Sequence, residues 1–371
     1  LLPLSARNPQ ALRALAIAYQ AFLADPQAGA QYPLRALCSS ASLRRAHHEE
    51  RLAVVGASHT ELIRQLRIWT ESQIAPSKGQ GSAKRKIVFV FSGHGAQWWG
   101  MGHQLFAQEP RFRRTIEACD AALQQVAGGG WSLLAEFTAD EASTRLAQTD
   151  ILQPYLFALQ VGLVSLWRAW GIEPDAVVGH SLGEVAAAHV AGALSLDEAM
   201  RIVCLRSQLL KQHGQPGAMA FVELTAEQAQ QAIAQLATRV TIAAQNGPQA
   251  TILSGERNAV EALMQKLGEQ GVVCRLVNVD YAFHSAQMDA VRPALEHGLQ
   301  DIQPQTTVLP FYSTVTGDSM DGRLCDAAYW GRNLREPVRF AAATQQLFEQ
   351  GHTVFIEISP HPLLLSAIAQ T

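Results

Sequence analysis

The stretch GHSLGE carries the residue of this sequence best placed for chemistry, Ser181, between two glycines. It follows the apolar residues AVV and precedes an alanine-rich run, so the serine is either the N-cap of a helix or a nucleophile presented between a strand and a helix. Gly179 and Gly183 let such a turn tighten without side-chain clashes. The context favours a nucleophile, which at neutral pH needs a base from elsewhere in the fold.

His284, in the stretch YAFHS, is the best candidate for that base. It follows the last strand of a predicted inserted segment, where the chain returns to the larger domain, so we expect it in the cleft between the two. His180 is next to the serine, and we expect its side chain to point away from the hydroxyl. A hydrolase triad would need an acid earlier in the chain than the histidine. Asp280 has the right order but is too close in sequence to be persuasive.

Arg206, in the stretch CLRSQ, lies on a mostly apolar face of the helix predicted after the serine. An arginine with apolar surroundings is rarely buried without a partner. Its planar guanidinium would suit a substrate carboxylate bound through two parallel hydrogen bonds. The alternative is an arginine that extends from the end of a helix into solvent.

Length and composition limit the class of protein. The 371 residues suggest about two to three structural units. With 48% hydrophobic residues, 16% charged residues and a net charge of −3, the composition is that of an ordinary soluble globular protein. The lysines and arginines are scattered, which argues against a nucleic-acid partner. The five cysteines lie far apart without a CxxC pair, so we expect neither a metal site nor disulfides, and a cytoplasmic location.

The ends and the hydropathy of the chain add two expectations. No signal peptide is recognisable, and no apolar run is long enough to cross a bilayer, so we expect no membrane association. The chain begins without Met, which suggests a piece of a longer protein.

The order of elements predicts an α/β fold. Apolar runs such as KIVFVF alternate with long helical patterns, as expected for a parallel sheet covered on both faces. Residues 1–75 predict a small α+β module, and residues 76–86, rich in Ser, Gly and Lys, a flexible linker. Residues 217–282 predict a ferredoxin-like β-α-β-β-α-β unit with an Asn246-Gly247 turn. This unit would be inserted into a large α/β-hydrolase-like subdomain formed by residues 87–216 and 283–371.

Six stretches together resemble a known family in their order and spacing. They are FVFSGHGAQWWGMG, GHSLGE, CLRSQ, YAFHS, NLREPVRF and FIEISPHPLL. They resemble the acyltransferase domain of modular type I polyketide synthases and, more widely, the malonyl-CoA:acyl carrier protein transacylases. The resemblance covers essentially the whole chain, because residues 1–75 are similar to the linker that joins a ketosynthase to its acyltransferase.

The resemblance implies a ping-pong transfer without a bound cofactor or metal. A malonyl-type group passes from its coenzyme A thioester to Ser181 as an acyl ester, and then to the phosphopantetheine thiol of an acyl carrier protein. His284 is implied as the base of a Ser-His dyad that has no carboxylate, with its imidazole oriented by a backbone carbonyl at Asn333. Arg206 is implied to bind the free carboxylate of the extender unit. A ketosynthase domain in the parent polypeptide is a further implied partner.

The resemblance also implies supporting roles around the reacting groups. The oxyanion would be held by the backbone N–H groups of His94 and Leu182. His94 replaces the glutamine that is usual at its position, which puts any side-chain contact of that glutamine in doubt, whereas Gln97 matches the family. We expect Gln97 and His180 to support the site from outside the reacting groups.

The residues that would select the acyl group point in two directions. In the resembled family HAFH accompanies malonyl and YASH methylmalonyl selection, and this chain has YAFH. Phe283 would fill the space of an α-methyl group, and Leu182 is common in malonyl enzymes. Tyr281 and the stretch TDILQP (149–154) favour methylmalonyl. We predict malonyl as the preferred group, with methylmalonyl close behind.

Two other functions remain open at this point. A serine esterase or thioesterase of the α/β-hydrolase type would need an acid partner for its base and would have no need of Arg206. A scaffold segment with a decayed active site is the second alternative. The intact Ser181, His284 and Arg206 argue against decay.

Overall fold

The structure is a computed structural model, and it describes residues 1–72, 74, 77–78, 85–128, 130–236 and 239–371. The chain forms two compact units, Leu1–Lys84 and Arg85–Thr371. Within the described residues, no helix has both the length and the hydropathy needed to cross a bilayer.

The first unit is a small α+β module, as predicted. Its strands and helices are, in chain order, β1 (Leu2–Ala6), α1 (Pro9–Ala24), α2 (Leu34–Leu43), β2 (Glu50–Val54), α3 (His59–Glu71) and β3 (Ser77–Lys78). The strands form one antiparallel sheet in the order β1-β2-β3. Asn8 and Ser58 begin α1 and α3 as N-caps, because each side chain accepts a hydrogen bond from a backbone N–H of the first turn.

The predicted linker 76–86 has strand residues at both ends. Ser77 and Lys78 pair with β2, and Lys86 begins the first strand of the second unit. Strand pairing at these residues was not predicted, because the segment has few apolar side chains and backbone pairing does not require them. Residues 76 and 79–84 lie outside the described residues.

The second unit contains a large and a small sheet. Its first half consists of β4 (Lys86–Phe91), α4 (His103–Gln108), α5 (Pro110–Ala127), α6 (Leu133–Glu136), α7 (Thr149–Ala169), β5 (Ala176–Gly179), α8 (Gly183–Ala191) and α9 (Leu196–His213). The small-sheet segment consists of β6 (Ala218–Val222), α10 (Ala226–Ile233), β7 (Val240–Gly247), β8 (Ala250–Gly255), α11 (Arg257–Glu269) and β9 (Cys274–Leu276). The remainder consists of α12 (Arg292–Gly298), β10 (Phe311–Ser313), β11 (Asp318–Met320), α13 (Ala327–Arg335), α14 (Phe340–Glu349), β12 (His352–Ile358) and α15 (Leu365–Gln370).

The large sheet has the order β11-β10-β5-β4-β12. Its four strands β10, β5, β4 and β12 are parallel, and β11 is an antiparallel edge. The register pairs Phe91 at the end of β4 with Gly179 at the end of β5. The loops that follow these two strands therefore meet at the carboxyl edge of the sheet, where ligands bind in open α/β folds.

The small sheet is antiparallel, with the order β7-β8-β6-β9 and the connection β-α-β-β-α-β. This confirms the predicted α/β fold with a ferredoxin-like insertion. Thr225 begins α10 with a capping box, in which its side chain accepts from Gln228 N–H. The predicted Asn246-Gly247 turn was wrong, because both residues belong to β7 and the chain turns at Pro248 and Gln249. Proline presets the backbone angle φ that the first central position of a turn requires.

Candidate active site

Ser181 lies on a tight turn between β5 and α8. Its φ is +54°, a left-handed conformation that costs a non-glycine residue free energy and is typical of functional sites. A Cβ at Gly179 would overlap the backbone of Glu184, and one at Gly183 would overlap the carbonyl oxygen of Phe91. The N-cap position of α8 is Leu182, without a side-chain cap. The turn therefore has the shape of a nucleophile elbow, and the N-cap interpretation of the serine was wrong.

His284 is hydrogen-bonded to the serine. The distance from its Nε2 to Ser181 Oγ is 2.7 Å, and its Nδ1 lies 2.8 Å from the backbone oxygen of Glu336. A carbonyl oxygen only accepts, so Nδ1 carries the proton and Nε2 is free to accept the serine hydroxyl. Like the serine, His284 has a left-handed backbone, with φ +58°. Both members of the pair are therefore held in strained conformations by the fold.

The orienting carbonyl belongs to Glu336 and not to Asn333, for which the role was predicted. Helix α13 ends at Arg335, and Glu336 follows with an extended backbone, so its carbonyl lies outside the helix and can accept from the imidazole. The side chain of Asn333 contributes in another way, since its Nδ2 donates to the backbone oxygen of Ser181 at 3.2 Å.

The charge state of His284 follows from its surroundings. Burial, and next the positive charge of Arg206, lower the pKa of His284 to about 3. The imidazole is therefore neutral at neutral pH, which is the form that can take a proton from the serine.

Arg206 lies on α9 beside Ser181 and is only 2% exposed, so it does not extend into solvent. Its Nη2 donates to Ser181 Oγ at 3.3 Å, whereas Nε and Nη1 are buried without a hydrogen-bond partner among the described residues. Burial lowers the pKa of Arg206 to about 10, and the negative charge of Glu184 opposes this shift. The guanidinium stays charged at neutral pH, so the site holds a cation with two unused donors.

Glu184, on the first turn of α8, is fully buried below the elbow. Its carboxylate accepts from Tyr329 OH at 2.9 Å, from Asn333 Nδ2 at 2.6 Å, and from the N–H and Oγ1 of Thr314. Burial raises the pKa of Glu184 to about 7, against the hydrogen bonds, which lower it. These contacts join the turn that carries the nucleophile to α13 and to the segment after β10.

The loop after β4 lies next to the elbow. Gln160 Nε2, from α7, donates to the backbone oxygen of Ser92 at 2.7 Å, and Gln97 Oε1 accepts from Gly95 N–H at 2.6 Å. Between these anchors is His94. Neither the His94 N–H nor the Leu182 N–H donates to a backbone carbonyl within the described residues. Both amides are therefore free to bind an anionic oxygen.

His180, the residue before Ser181, connects the elbow to the small subdomain. Its Nε2 lies 2.8 Å from Asn246 Oδ1 on β7, and its ring packs against Phe340. Burial lowers the pKa of His180, so this side chain is also neutral. The contact joins the large and small subdomains at the catalytic turn.

A cavity of about 460 Å³, the catalytic cavity, opens at Ser181 and His284. The large subdomain contributes His94 and Phe283, and the small subdomain contributes a largely apolar wall that includes Met219 on β6, Ile252 on β8 and Leu276 on β9. Tyr281 and Gln97 line a second cavity instead. Among the described residues, no group of three or more His, Cys, Asp and Glu side chains is placed to hold a metal ion.

Comparison with known families identifies the family of the chain. Residues 88–371 match the family described as the acyl transferase domain. The chain belongs to the acyl transferase domain family. Residues 1–66 of this acyl transferase match a second family, described as CurL-like, PKS C-terminal.

The acyl transferase is similar to segments of large synthases. It is 40% identical over 374 residues to the polyketide synthase GfsB of Streptomyces halstedii, and 40% identical over 373 residues to the erythronolide synthase EryA2 of Saccharopolyspora erythraea. Both matches cover 100% of this chain but only 7% and 10% of the relatives. The acyltransferase domain from module 8 of the salinomycin polyketide synthase has a TM-score of 0.86 and 35% identity, with 100% of this chain and 87% of that chain covered.

Three features of this acyl transferase site were missed by the sequence analysis. They are the buried Glu184 with its donors Thr314, Tyr329 and Asn333 (the Glu184 hub), the Asn246 partner of His180, and the carbonyl of Glu336. Only the first had a signal in the sequence, because Glu184 is a lone acid in an otherwise apolar and alanine-rich helix and must find buried donors. The other two depend on contacts between distant segments.

Proposed function

We propose that this acyl transferase loads a malonyl-type extender unit from coenzyme A onto an acyl carrier protein during polyketide assembly. The observation that carries the proposal is the Arg206 guanidinium beside Ser181, whose Nε and Nη1 are buried without a hydrogen-bond partner among the described residues. A buried cation with two free donors is costly unless a ligand pairs with it. The free carboxylate of a malonyl group offers two acceptors with matching geometry.

In the first half-reaction, Ser181 Oγ attacks the thioester carbonyl while His284 Nε2 takes the hydroxyl proton. The C–O bond forms, and the negative charge on the carbonyl oxygen is stabilised by the N–H groups of His94 and Leu182. The C–S bond then breaks, and His284 returns the proton to the leaving coenzyme A sulfur. The product is a malonyl ester of Ser181.

In the second half-reaction, the phosphopantetheine thiol of the carrier protein gives its proton to His284 and attacks the ester carbonyl. The new C–S bond forms, the C–O bond to Ser181 breaks, and the serine oxygen recovers the proton. The imidazole is neutral at the start of each step, so one base serves both thiol and serine. No bound cofactor or metal takes part in this scheme.

An esterase or thioesterase of the α/β-hydrolase type fits the site less well. The Nδ1 of His284 meets a backbone carbonyl, whereas a triad enzyme would place a carboxylate there. A neutral ester would also leave the Arg206 guanidinium without a partner.

For the acyl group, we propose malonyl before methylmalonyl. The aromatic ring of Phe283 lies 5.7 Å from Arg206 Cζ, so an acyl group that joins Ser181 to Arg206 passes close to this ring. An α-methyl group would compete with the ring for space, at a cost of about 1–3 kcal/mol. Tyr281 contacts Phe283 from the second cavity and does not line the catalytic one.

The partners follow from the similarity to polyketide synthases. We propose that the chain works as one domain of a longer, cytoplasmic synthase beside a ketosynthase domain, with malonyl-CoA as donor and an acyl carrier protein as acceptor. The match of residues 1–66 to a polyketide synthase C-terminal family supports this placement.

Intact-protein mass spectrometry after brief incubation with equal amounts of acetyl-, malonyl- and methylmalonyl-CoA tests the proposal. We expect a malonyl adduct, which Ser181→Ala abolishes. A methylmalonyl adduct would overturn the choice of acyl group and leave the transferase intact. No adduct with either carboxylated substrate would reject the transferase in favour of the esterase.

A further inference from the structure

A second cavity, the side cavity, lies next to the catalytic one. Its volume is about 490 Å³, and it is lined by Trp99, Thr149, Leu152 and Tyr281 among others. Four residues line both cavities, namely His94, Asn278, Val279 and Phe283. These four residues therefore form the partition between the two spaces.

Two aromatic rings form the side-chain part of this partition. The rings of His94 and Phe283, the ring pair, are stacked with centroids 5.3 Å apart and an interplanar angle of 16°. On the side of the side cavity, Tyr281 packs edge-on against Phe283, with the two ring centroids 6.0 Å apart. Stacking of this kind adds to the free energy of simple apolar burial, so a shift of one ring is opposed by the other.

The main chain on both sides of the ring pair is also fixed. The loop that carries His94 is anchored through Ser92 O and Gly95 N–H, as described above. Phe283 precedes the strained His284, whose N–H donates to Leu334 O at 3.2 Å. Phe283 has little freedom to move into the side cavity while the imidazole of His94 lies against it.

An extender unit bound as proposed lies against this partition. Its ester carbonyl is at Ser181 and its carboxylate at Arg206, whose Nη2 is 3.3 Å from Ser181 Oγ. Phe283 lies against the same guanidinium. A substituent on the carbon between the two carbonyl groups is therefore directed at the ring pair, with the side cavity behind it.

We propose that the side chain of His94 is a specificity-determining residue, whose imidazole holds Phe283 in place and closes the side cavity to 2-alkylmalonyl groups. The proposal rests on the malonyl transfer proposed above. It assigns to the His94 side chain a role separate from the oxyanion contact of its backbone.

The state of the imidazole suits this role. Its Nε2 is buried without a hydrogen-bond partner among the described residues. Burial, and next the charge of Arg206, lower the pKa of His94 to about 3, so the ring is neutral. A neutral ring stacks without repelling the guanidinium. Glutamine, the usual residue at this position in the resembled family, has no ring to stack on Phe283.

The test is a competition between malonyl-CoA and 2-butylmalonyl-CoA, with the two Ser181 adducts quantified by intact-protein mass spectrometry. We expect His94→Ala to raise the ratio of butylmalonyl to malonyl adduct by about tenfold or more. His94→Phe keeps a ring and is expected to keep the wild-type ratio. The ratio compares two groups on one enzyme, so a general loss of rate does not affect it.

Three further variants separate the role of the partition from the effects of cavity size and of folding. Trp98 lines only the side cavity, so Trp98→Ala enlarges that space behind an intact partition and should leave the ratio unchanged. If His94→Ala does not fold by circular dichroism, His94→Gln takes its place and should also raise the ratio. In a Phe283→Ala background, removal of the imidazole should add little, because its effect passes through Phe283.

The outcomes distinguish this proposal from the one on which it rests. A wild-type malonyl adduct together with an unchanged ratio in His94→Ala, or in its Gln replacement, overturns the role of the ring and leaves the transferase standing. An equal rise in His94→Phe and His94→Ala also overturns it, because the nitrogens and not the ring would then decide. No carboxylated adduct on the wild-type enzyme rejects both proposals.

Discussion

Replacement of Arg206 by methionine tests the electrostatic logic of the site. Methionine has a similar length and no charge, so it fills the space of the guanidinium without pairing with a carboxylate. Among the described residues, Arg206 donates a hydrogen bond to Ser181 Oγ at 3.3 Å, and its Nε and Nη1 are buried without a partner. The substitution therefore removes few contacts from the folded protein.

The effect on substrate selection should be large. Removal of one member of a buried, hydrogen-bonded charge pair costs about 3–5 kcal/mol. At about 1.4 kcal/mol for each factor of ten, kcat/KM for malonyl-CoA should fall by about 100- to 4,000-fold. Acetyl-CoA has no carboxylate to lose a partner, so its kcat/KM should not fall, and the preference for malonyl over acetyl should decrease by the same factor.

The effect on stability should have the opposite sign. A buried guanidinium without full hydrogen bonding destabilises the fold, and an apolar residue of similar volume is often neutral or stabilising by about 1–4 kcal/mol. We expect the free energy of unfolding of Arg206→Met to equal or exceed that of the wild type in urea titrations. The loss of positive charge beside Glu184 works against this gain.

The assays are acyl-enzyme formation from malonyl- and acetyl-CoA and urea unfolding of the free protein. Arg201 is the matched control, because it lies on the same helix, is partly exposed and pairs with Asp301. Arg201→Met should change neither the selectivity nor the stability by more than a surface ion pair does, about 1 kcal/mol. Unchanged malonyl loading in Arg206→Met would refute the carboxylate role.

Two further predictions concern the base His284 and the Glu184 hub. The pKa of His284 is lowered to about 3 in the fold, whereas an ordinary histidine titrates near about 6.5, so the unfolded chain binds more protons between these values. This contribution to stability is present in full above about pH 6.5 and is lost as the pH falls towards the folded pKa, while malonyl loading should stay active on the acid side of pH 6.5. A pH profile with a half-maximal rate at an ordinary histidine pKa would contradict the buried neutral base. Glu184→Ala should lower the free energy of unfolding by about 3–5 kcal/mol in urea titrations, because buried donors on Thr314, Tyr329 and Asn333 lose their acceptor. The exposed Glu173→Ala is its control, and an equal effect of both substitutions would show that the hub does not stabilise the elbow.

Much of the fold could be predicted because its signals are local. Uninterrupted apolar runs such as KIVFVF indicate buried parallel strands. The capping box of Thr225 at the start of α10 is a local signal of the same kind, because it lies within one turn of sequence. The turn at Pro248 shows the limit of such signals, since an Asn-Gly pair and a following proline compete for the same bend and local sequence does not decide between them.

In the candidate site, too, some residues could be predicted from the sequence and others could not. Ser181, His284 and Arg206 could be proposed because the chemistry depends on their side chains. In the structure, His284 and Arg206 both lie within hydrogen-bonding distance of Ser181 Oγ. The sequence does not show which backbone carbonyl orients His284, because every residue has one. Only the end of α13 in the folded chain places the carbonyl of Glu336 there. Glu184 meets its partners more than a hundred residues away, and such pairing depends on the tertiary fold.

These contacts explain how a strained site persists without its substrate. Two left-handed residues and the two guanidinium nitrogens that lack a partner among the described residues together destabilise the elbow region, and the hydrogen bonds of Glu184 and Asn333 help to hold it. Because the guanidinium is already desolvated, a carboxylate that enters the cavity gains a partner without first displacing a protein anion. A ligand that binds only the folded state also stabilises it. Under the proposed function, the carboxylate of the extender unit is therefore the missing counter-ion of Arg206. The Nε and Nη1 of Arg206 then affect both the selectivity for carboxylated acyl groups and the stability of the free protein.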